Sequence, residues 1–247
     1  MLAAIRAELR KLLTVRSTYF IVIFSFIIVA LFAGYADGFH NPQVALLRPD
    51  LLMSESFNAI VFAGIILSFA GLLLMGHEYR YNTIMYTLTI SNRRLKVLGA
   101  KFIAITLFAL IVGLAISFFS PLATIIGAHL HGHHIGPQHF DVWNVLWRCA
   151  FVGWGYAMYA FILIAILRNQ VGSIVSFLLI PLLGENIISH IFTHTTNYLP
   201  FTMLQAVAEP TDLGNHTTTA HAVTVCVVYV VVGLIASTAL FLRRDAN

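Results

Sequence analysis

The chain has 247 residues, of which 59% are hydrophobic and only 10% carry charge. A soluble domain holds about a quarter charged residues, so this composition, with a mean hydropathy of +0.87, excludes one and points to a membrane. The net charge of +4 does not mark a nucleic-acid binder, because the basic residues flank apolar runs and form no domain of their own.

In chain order, Leu2, Ile5, Leu9, Leu12 and Leu13 recur at helical spacing and form an apolar stripe. Arg6 and Arg10 flank it, and Glu8 and Lys11 lie away from it. Residues 1–16 are therefore expected to form an amphipathic helix in the membrane interface, its arginine stems reaching the headgroups. Six apolar runs follow, at or near the roughly 20 residues that a helical span requires. The first covers residues 18–36 and the second 57–76. The third covers 98–128, with Lys101 its one charge and Pro121 expected to kink it. The fourth covers 149–167, between Arg148 and Arg168. The fifth starts at Val171, contains Pro181, and meets Glu185 before it is a full span long. The sixth covers 222–242 and stops at Arg243-Arg244. Cys149 and Cys226 fall at or inside spans, so neither reports on a redox compartment. No inverted repeat relates the two halves. The fold class is all-α, a single transmembrane domain over residues 1–247.

Six spans put both termini on one side. Twelve of the 14 Lys and Arg residues fall on that side, and only Arg48 and Arg148 fall on the other. Positive charge marks the cytoplasmic face, so both termini are expected there, with residues 129–147 outside.

The most informative stretch follows the second span. Gly76-His77-Glu78-Tyr79-Arg80-Tyr81-Asn82-Thr83 opens a polar segment that runs on to Ser91-Asn92-Arg93-Arg94-Leu95-Lys96. Setting topology requires only the arginines and lysines. It does not explain Glu78, the tyrosines and the threonines, a mixture suited to docking in a partner's groove. Glu-Tyr-Arg-x-x-Thr, then Ser-Asn-Arg-Arg and Lys101, after an amphipathic helix and within a six-span plan, resembles the permease subunits of ABC-2 type exporters. Asn82 stands where that family has Gly, and Ile90 where it commonly has Pro. The resemblance implies a coupling helix within residues 77–96, with Glu78, Tyr79, Arg80, Thr83, Arg93 and Lys96 facing the ATPase. It implies a second permease copy or paralogue, two ATPase subunits that hold ATP and Mg, and a prokaryotic plasma membrane. This chain has no Gly-x-x-x-x-Gly-Lys-Ser/Thr run of its own, so it is expected to be a transporter subunit and no enzyme.

Three further groups qualify as sites. Glu185 is an acid in an apolar setting, which marks either a functional residue of the exit path or the wet end of a short span. Tyr156 and Tyr159, in the aromatic fourth span, line a substrate path or simply pack. Ten of 11 histidines lie toward the outer side. His129, His131, His133 and His134 could bind a transition metal, or simply make a polar loop. Two His pairs also match by spacing two of the boxes of membrane di-iron desaturases and hydroxylases, but a third box is missing. The alternative function is thus a His-rich metal-binding membrane protein or a di-iron membrane enzyme.

In a background lacking Cys149 and Cys226, an impermeant thiol reagent applied from outside should label a cysteine at position 133 and spare one at position 92. The reverse pattern would invert the topology.

Overall fold

The computed structural model describes residues 2–40, 49–81, 83–84, 94–133, 142–208 and 218–243. Every regular element among them is helical. Helix α1 spans Leu2–Thr14. Helix α2 spans Arg16–Val29 and continues as a π-helix over Ala30–His40. Helices α3 (Pro49–Arg80), α4 (Arg94–Leu130) and α5 (Val142–Leu167) follow. Helix α6 (Gln170–Leu179) runs through a π-helical stretch, Ile180–Glu185, into α7 (Asn186–Ile191). A 3-10 turn, Thr193–Tyr198, then leads into the short α8 (Pro200–Ala208), and α9 (Thr219–Arg243) closes the chain.

Six segments are long and apolar enough to cross a membrane: Arg16–Ala36, Ala59–Arg80, Leu95–Leu130, Leu146–Leu167, Gln170–Ile191 and Thr219–Leu242. The helix of the third span contains Pro121. The six segments coincide with the six expected spans, with one difference. The fifth span reaches full length, because the π-helical register carries it past Pro181 and Glu185 into α7. Asn186 supports this by donating from Nδ2 to the carbonyls of Pro181 and Leu182, at 3.2 and 2.8 Å.

Spans two and four form the centre. Each is 72% buried, whereas spans one and five are 17% and span six 22% buried. Apolar side chains gain nothing from avoiding lipid, so close packing of small residues must hold such helices together. A Cβ on Gly71 of α3 would lie 2.9 Å from the Ala157 carbonyl oxygen of α5, too close for any side chain. Gly127 of α4 is tighter still, since a Cβ there would fall inside the Gly34 carbonyl of the π-helix. These two glycines set how closely spans two and four, and spans one and three, approach.

Gly127→Ala should therefore lower the melting temperature of the detergent-purified protein, by the equivalent of about 1–3 kcal/mol for an overpacked contact. An unchanged melting temperature would show that the crossing of spans one and three is not set at this glycine.

Candidate functional site

Four charged residues meet where α1, the end of α3 and the start of α4 come together. Lys101, one of the largest fully buried side chains, lies on α4 two turns from its N-terminus. Its Nζ donates to Glu78 Oε1 at 2.6 Å and to Glu8 Oε2 at 2.9 Å. Lys11 completes the ring, donating to Glu78 Oε1 at 2.8 Å and to Glu8 Oε1 at 3.0 Å. Glu8 and Lys11 stand three residues apart on α1, so both reach the same face of their helix. Acids and bases alternate and the cluster is neutral, which permits it to leave water. Burial favours the neutral form of Lys11, but the hydrogen bonds and charges of Glu78 and Glu8 outweigh this and raise its pKa.

This arrangement corrects two expectations. Glu8 and Lys11 do not face away from the packed side of α1. Glu8 is buried together with Leu12, while Leu2 and Leu13 of the apolar stripe are exposed. A stripe read from polarity alone misses a helix face whose ions have partners. Nor does Glu78 lie in a wet connector, since it is only 6% exposed. The sequence signal that would have revealed the cluster was Lys101, an ion within an apolar run that must find a counter-ion.

The structure also describes several of the other residues expected to couple to an ATPase. Arg80 and Thr83 are exposed, and the Arg80 guanidinium sits over the Tyr81 ring at 5.6 Å. Tyr79 is half-buried, Lys96 is exposed in the first turn of α4, and Ile84 is buried. Arg93 lies outside the described residues, as does most of the segment between Ile84 and Arg94.

At the opposite end of the bundle, Glu185 is 5% exposed, which removes the wet alternative. Its Oε1 accepts from the Phe201 amide at 2.8 Å. Its Oε2 accepts from the Thr202 amide and the Thr202 hydroxyl, both at 2.7 Å. The first turn of α8 has free N–H groups, and Leu199 before it has no side-chain acceptor. Glu185 supplies the missing cap from a distant segment, and the helix dipole favours its charge. Phe201 then packs its ring 5.2 Å from Tyr159 and 5.5 Å from Phe177. A cavity of about 620 Å³ opens beside this cluster, lined in part by Phe62, Tyr156, Glu185, Asn186 and Gln205. Tyr156 and Glu185 thus reach a cavity together. Tyr159 does not line it; its hydroxyl points at the Pro200 carbonyl, 3.4 Å away.

The His131 and His133 rings stack at 5.6 Å, and Phe39 meets His131 edge-on at 5.1 Å. Among the described residues no group of three His, Cys, Asp or Glu side chains is placed to hold a metal. His134 lies outside them.

Comparison with known families is decisive. Residues 4–184 match the family model described as ABC-2 family transporter protein. The match covers well over half of the chain and includes all four residues of the ion cluster. The chain belongs to the ABC-2 transporter family, as a multi-pass membrane component. A comparison with curated proteins found no match.

The ion ring and the Glu185 cap each carry a stability prediction. Lys101→Met leaves two carboxylates with one half-exposed lysine and should cost about 3–5 kcal/mol, the usual penalty for breaking a buried ion pair. Lys11→Met should cost clearly less, because its side chain is 43% exposed and solvent screens the loss. Thermal unfolding in detergent compares the two, and equal losses would overturn the picture of a buried ring. Glu185→Gln should cost about 1–2 kcal/mol, the scale of a lost helix cap. Hydrogen exchange should quicken first at the Phe201 and Thr202 amides. Protection unchanged at both would remove the capping role.

Proposed function

We propose that this ABC-2 family chain is the permease of an ATP-driven exporter, working by alternating access with two separate ATPase subunits and a second permease copy. One observation carries the mechanism. The ion ring grips both ends of the segment 77–96, Glu78 at its start and Lys101 just beyond its end, and ties both to α1. A push on the segment by an ATPase would then move α3, α4 and α1 as a unit. Arg80, Thr83 and Lys96 are the exposed groups through which that push arrives, with Tyr79 beside Arg80; Arg93, outside the described residues, is assigned the same role from the sequence. On this reading the ring faces the cytoplasm, in keeping with the excess of basic residues at this end.

Spans one and five keep broad exposed apolar faces, suited to a second copy across a central path, whereas span two is already largely covered by span four. The outer cavity at Tyr156 and Glu185 suits the exit of that path, and its substrate would leave past the cap of α8. Chemistry on this chain is not required: ATP and Mg stay on the partner.

The test uses Lys96, which is exposed, in place of Glu78, whose reversal would put a third cation beside Lys11 and the buried Lys101 and endanger folding. Lys96→Glu should leave the melting temperature of the chain within about 0.5 kcal/mol of the wild type, as for most surface substitutions. It should also reduce the ATPase that co-purifies with the tagged chain from membranes. Undiminished recovery of an active ATPase would remove Lys96 from the docking surface. ATP hydrolysis by the purified chain alone would overturn the division of labour.

A further inference from the structure

A second cavity, of about 530 Å³, lies at the same end of the bundle as the ion ring, between the end of α3 and the turn from α5 to α6. Tyr79 and Arg80 line it from one side, and Arg168, Gln170 and Val171 from the other. Two of its polar atoms, the Tyr79 hydroxyl and Gln170 Oε1, are buried without a hydrogen-bond partner. Unsatisfied buried polar atoms are uncommon in native proteins, and here a hydroxyl donor and a carboxamide acceptor belong to residues that line one basic cavity.

The backbone makes the same point. Arg168 closes α5 at φ 55°, and is the single non-glycine residue with positive φ among those described. That position after a helix end is normally glycine's, and a side chain there costs about 1 kcal/mol or more. Arg168 is nevertheless fixed in place: its Nη2 donates to the Leu240 carbonyl at 3.2 Å, and its guanidinium lies over the Phe241 ring. Arg168 so held lines the cavity together with Arg80. The N-terminus of α6 adds its positive dipole end at Gln170 and Val171. No carboxylate lines the cavity, and neighbouring Glu78 is held by two lysines.

From this we propose that the cavity binds the headgroup of an anionic phospholipid, of the phosphatidylglycerol kind. The phosphodiester would lie between Arg80 and Arg168 and accept from the Tyr79 hydroxyl. A headgroup hydroxyl would donate to Gln170 Oε1. A zwitterionic headgroup fits less well, because two guanidiniums repel its ammonium. Free phosphate has no use for the wall that adjoins the charges. Val171 is 70% exposed, and the exposed side chains of Val175 and Leu178 on α6 and of Leu182 in the π-helical stretch continue along span five, a track for an acyl chain. Basic pockets between spans are suited to anionic headgroups on general grounds. The site shares Tyr79 and Arg80 with the proposed ATPase surface, so the test uses this chain alone in its lipid, where docking plays no part.

Native mass spectrometry of the purified chain, without any ATPase, tests it by titration with dioleoyl phosphatidylglycerol, dioleoyl phosphatidylcholine or inorganic phosphate. Phosphatidylglycerol should occupy one site about tenfold more tightly than phosphatidylcholine, and millimolar phosphate should not displace it. Tyr79→Phe removes a hydroxyl that no other residue uses, so the fold should be kept. The variant should weaken phosphatidylglycerol about tenfold, the scale of a hydrogen bond to a charged group. Arg80→Gln should weaken it as well. Equal binding of the two lipids, or no response to either substitution, would overturn the site. Displacement by inorganic phosphate would overturn the lipid as its occupant. Unaltered lipid binding with loss of the co-purified ATPase in Tyr79→Phe would assign the cavity to the ATPase.

Discussion

A neutral ring of four charges, buried where three helices meet, is the constraint on which the cytoplasm-proposed end of this protein depends. In a low-dielectric setting no member of the ring can be left alone. Lys101 is fully covered and therefore needs Glu78 and Glu8 to remain charged. Glu78, in turn, lies in the last turn of α3, at the start of the segment 77–96. The cost of separating Glu78 from Lys101 makes the start of the segment and the start of span three a single mechanical body, to which Glu8 and Lys11 attach α1. A purely apolar contact between the same helices would tolerate sliding, because apolar packing has no fixed partner. An alternating ring does not, since any shift by a turn brings like charges together.

The other end is organised by a different use of the same residue type. Glu185 is as buried as Glu78, but it is satisfied by backbone amides and a hydroxyl rather than by lysines. Amide donors at a helix start are fixed by the helix itself. Glu185 therefore holds the short α8 to span five, and the rings of Phe177, Tyr159 and Phe201 fill the space between span four and α8. The central pair of spans, two and four, joins the two ends through small-residue packing at Gly71 and Ala157. Spans one, five and six surround that pair and leave most of their surface to lipid or to another protein.

Much of this was legible in the sequence. The six spans follow from run lengths and hydropathy, because a bilayer forces every backbone polar group into a helix. The family was legible too, from Glu78, Tyr79, Arg80, Thr83 and Lys101 in order. What sequence patterning missed is pairing across distance. Glu8 and Lys11 are hydrophilic residues on a short amphipathic helix, and periodicity places such residues in water. Only the position of Lys101, 93 residues from Glu8 along the chain, turns them inward. The same limit applies to Glu185. Its setting was evident, but its partners, the amides of residues 201 and 202, carry no sequence signature at all. Span five was expected to end early because Pro181 and an acid normally end a helix, and a π-helical register accommodated both.

Satisfaction by lysines and satisfaction by amides have different consequences for a machine that changes shape. A carboxylate held by amides stays bound for as long as its helix is folded, so Glu185 acts as a fixed hinge pin for α8. A carboxylate held by two lysines on two different helices is bound only while those helices stay together. Lys11 is partly exposed and belongs to α1, whereas Lys101 is fully covered and belongs to α4. If α1 withdraws, Glu78 loses one lysine to solvent but keeps the other, and Glu8 leaves with Lys11. The ring then divides into two neutral pairs, Glu8 with Lys11 and Glu78 with Lys101, and no charge is orphaned. Moving α3 or α4 out of the ring instead takes a single ion with it and strands a charge on both sides. The distribution of the charges, two on α1 and one each on α3 and α4, therefore makes α1 the one element that can part from the others at low electrostatic cost, while α3 and α4 remain locked together on either side of the segment that an ATPase would push.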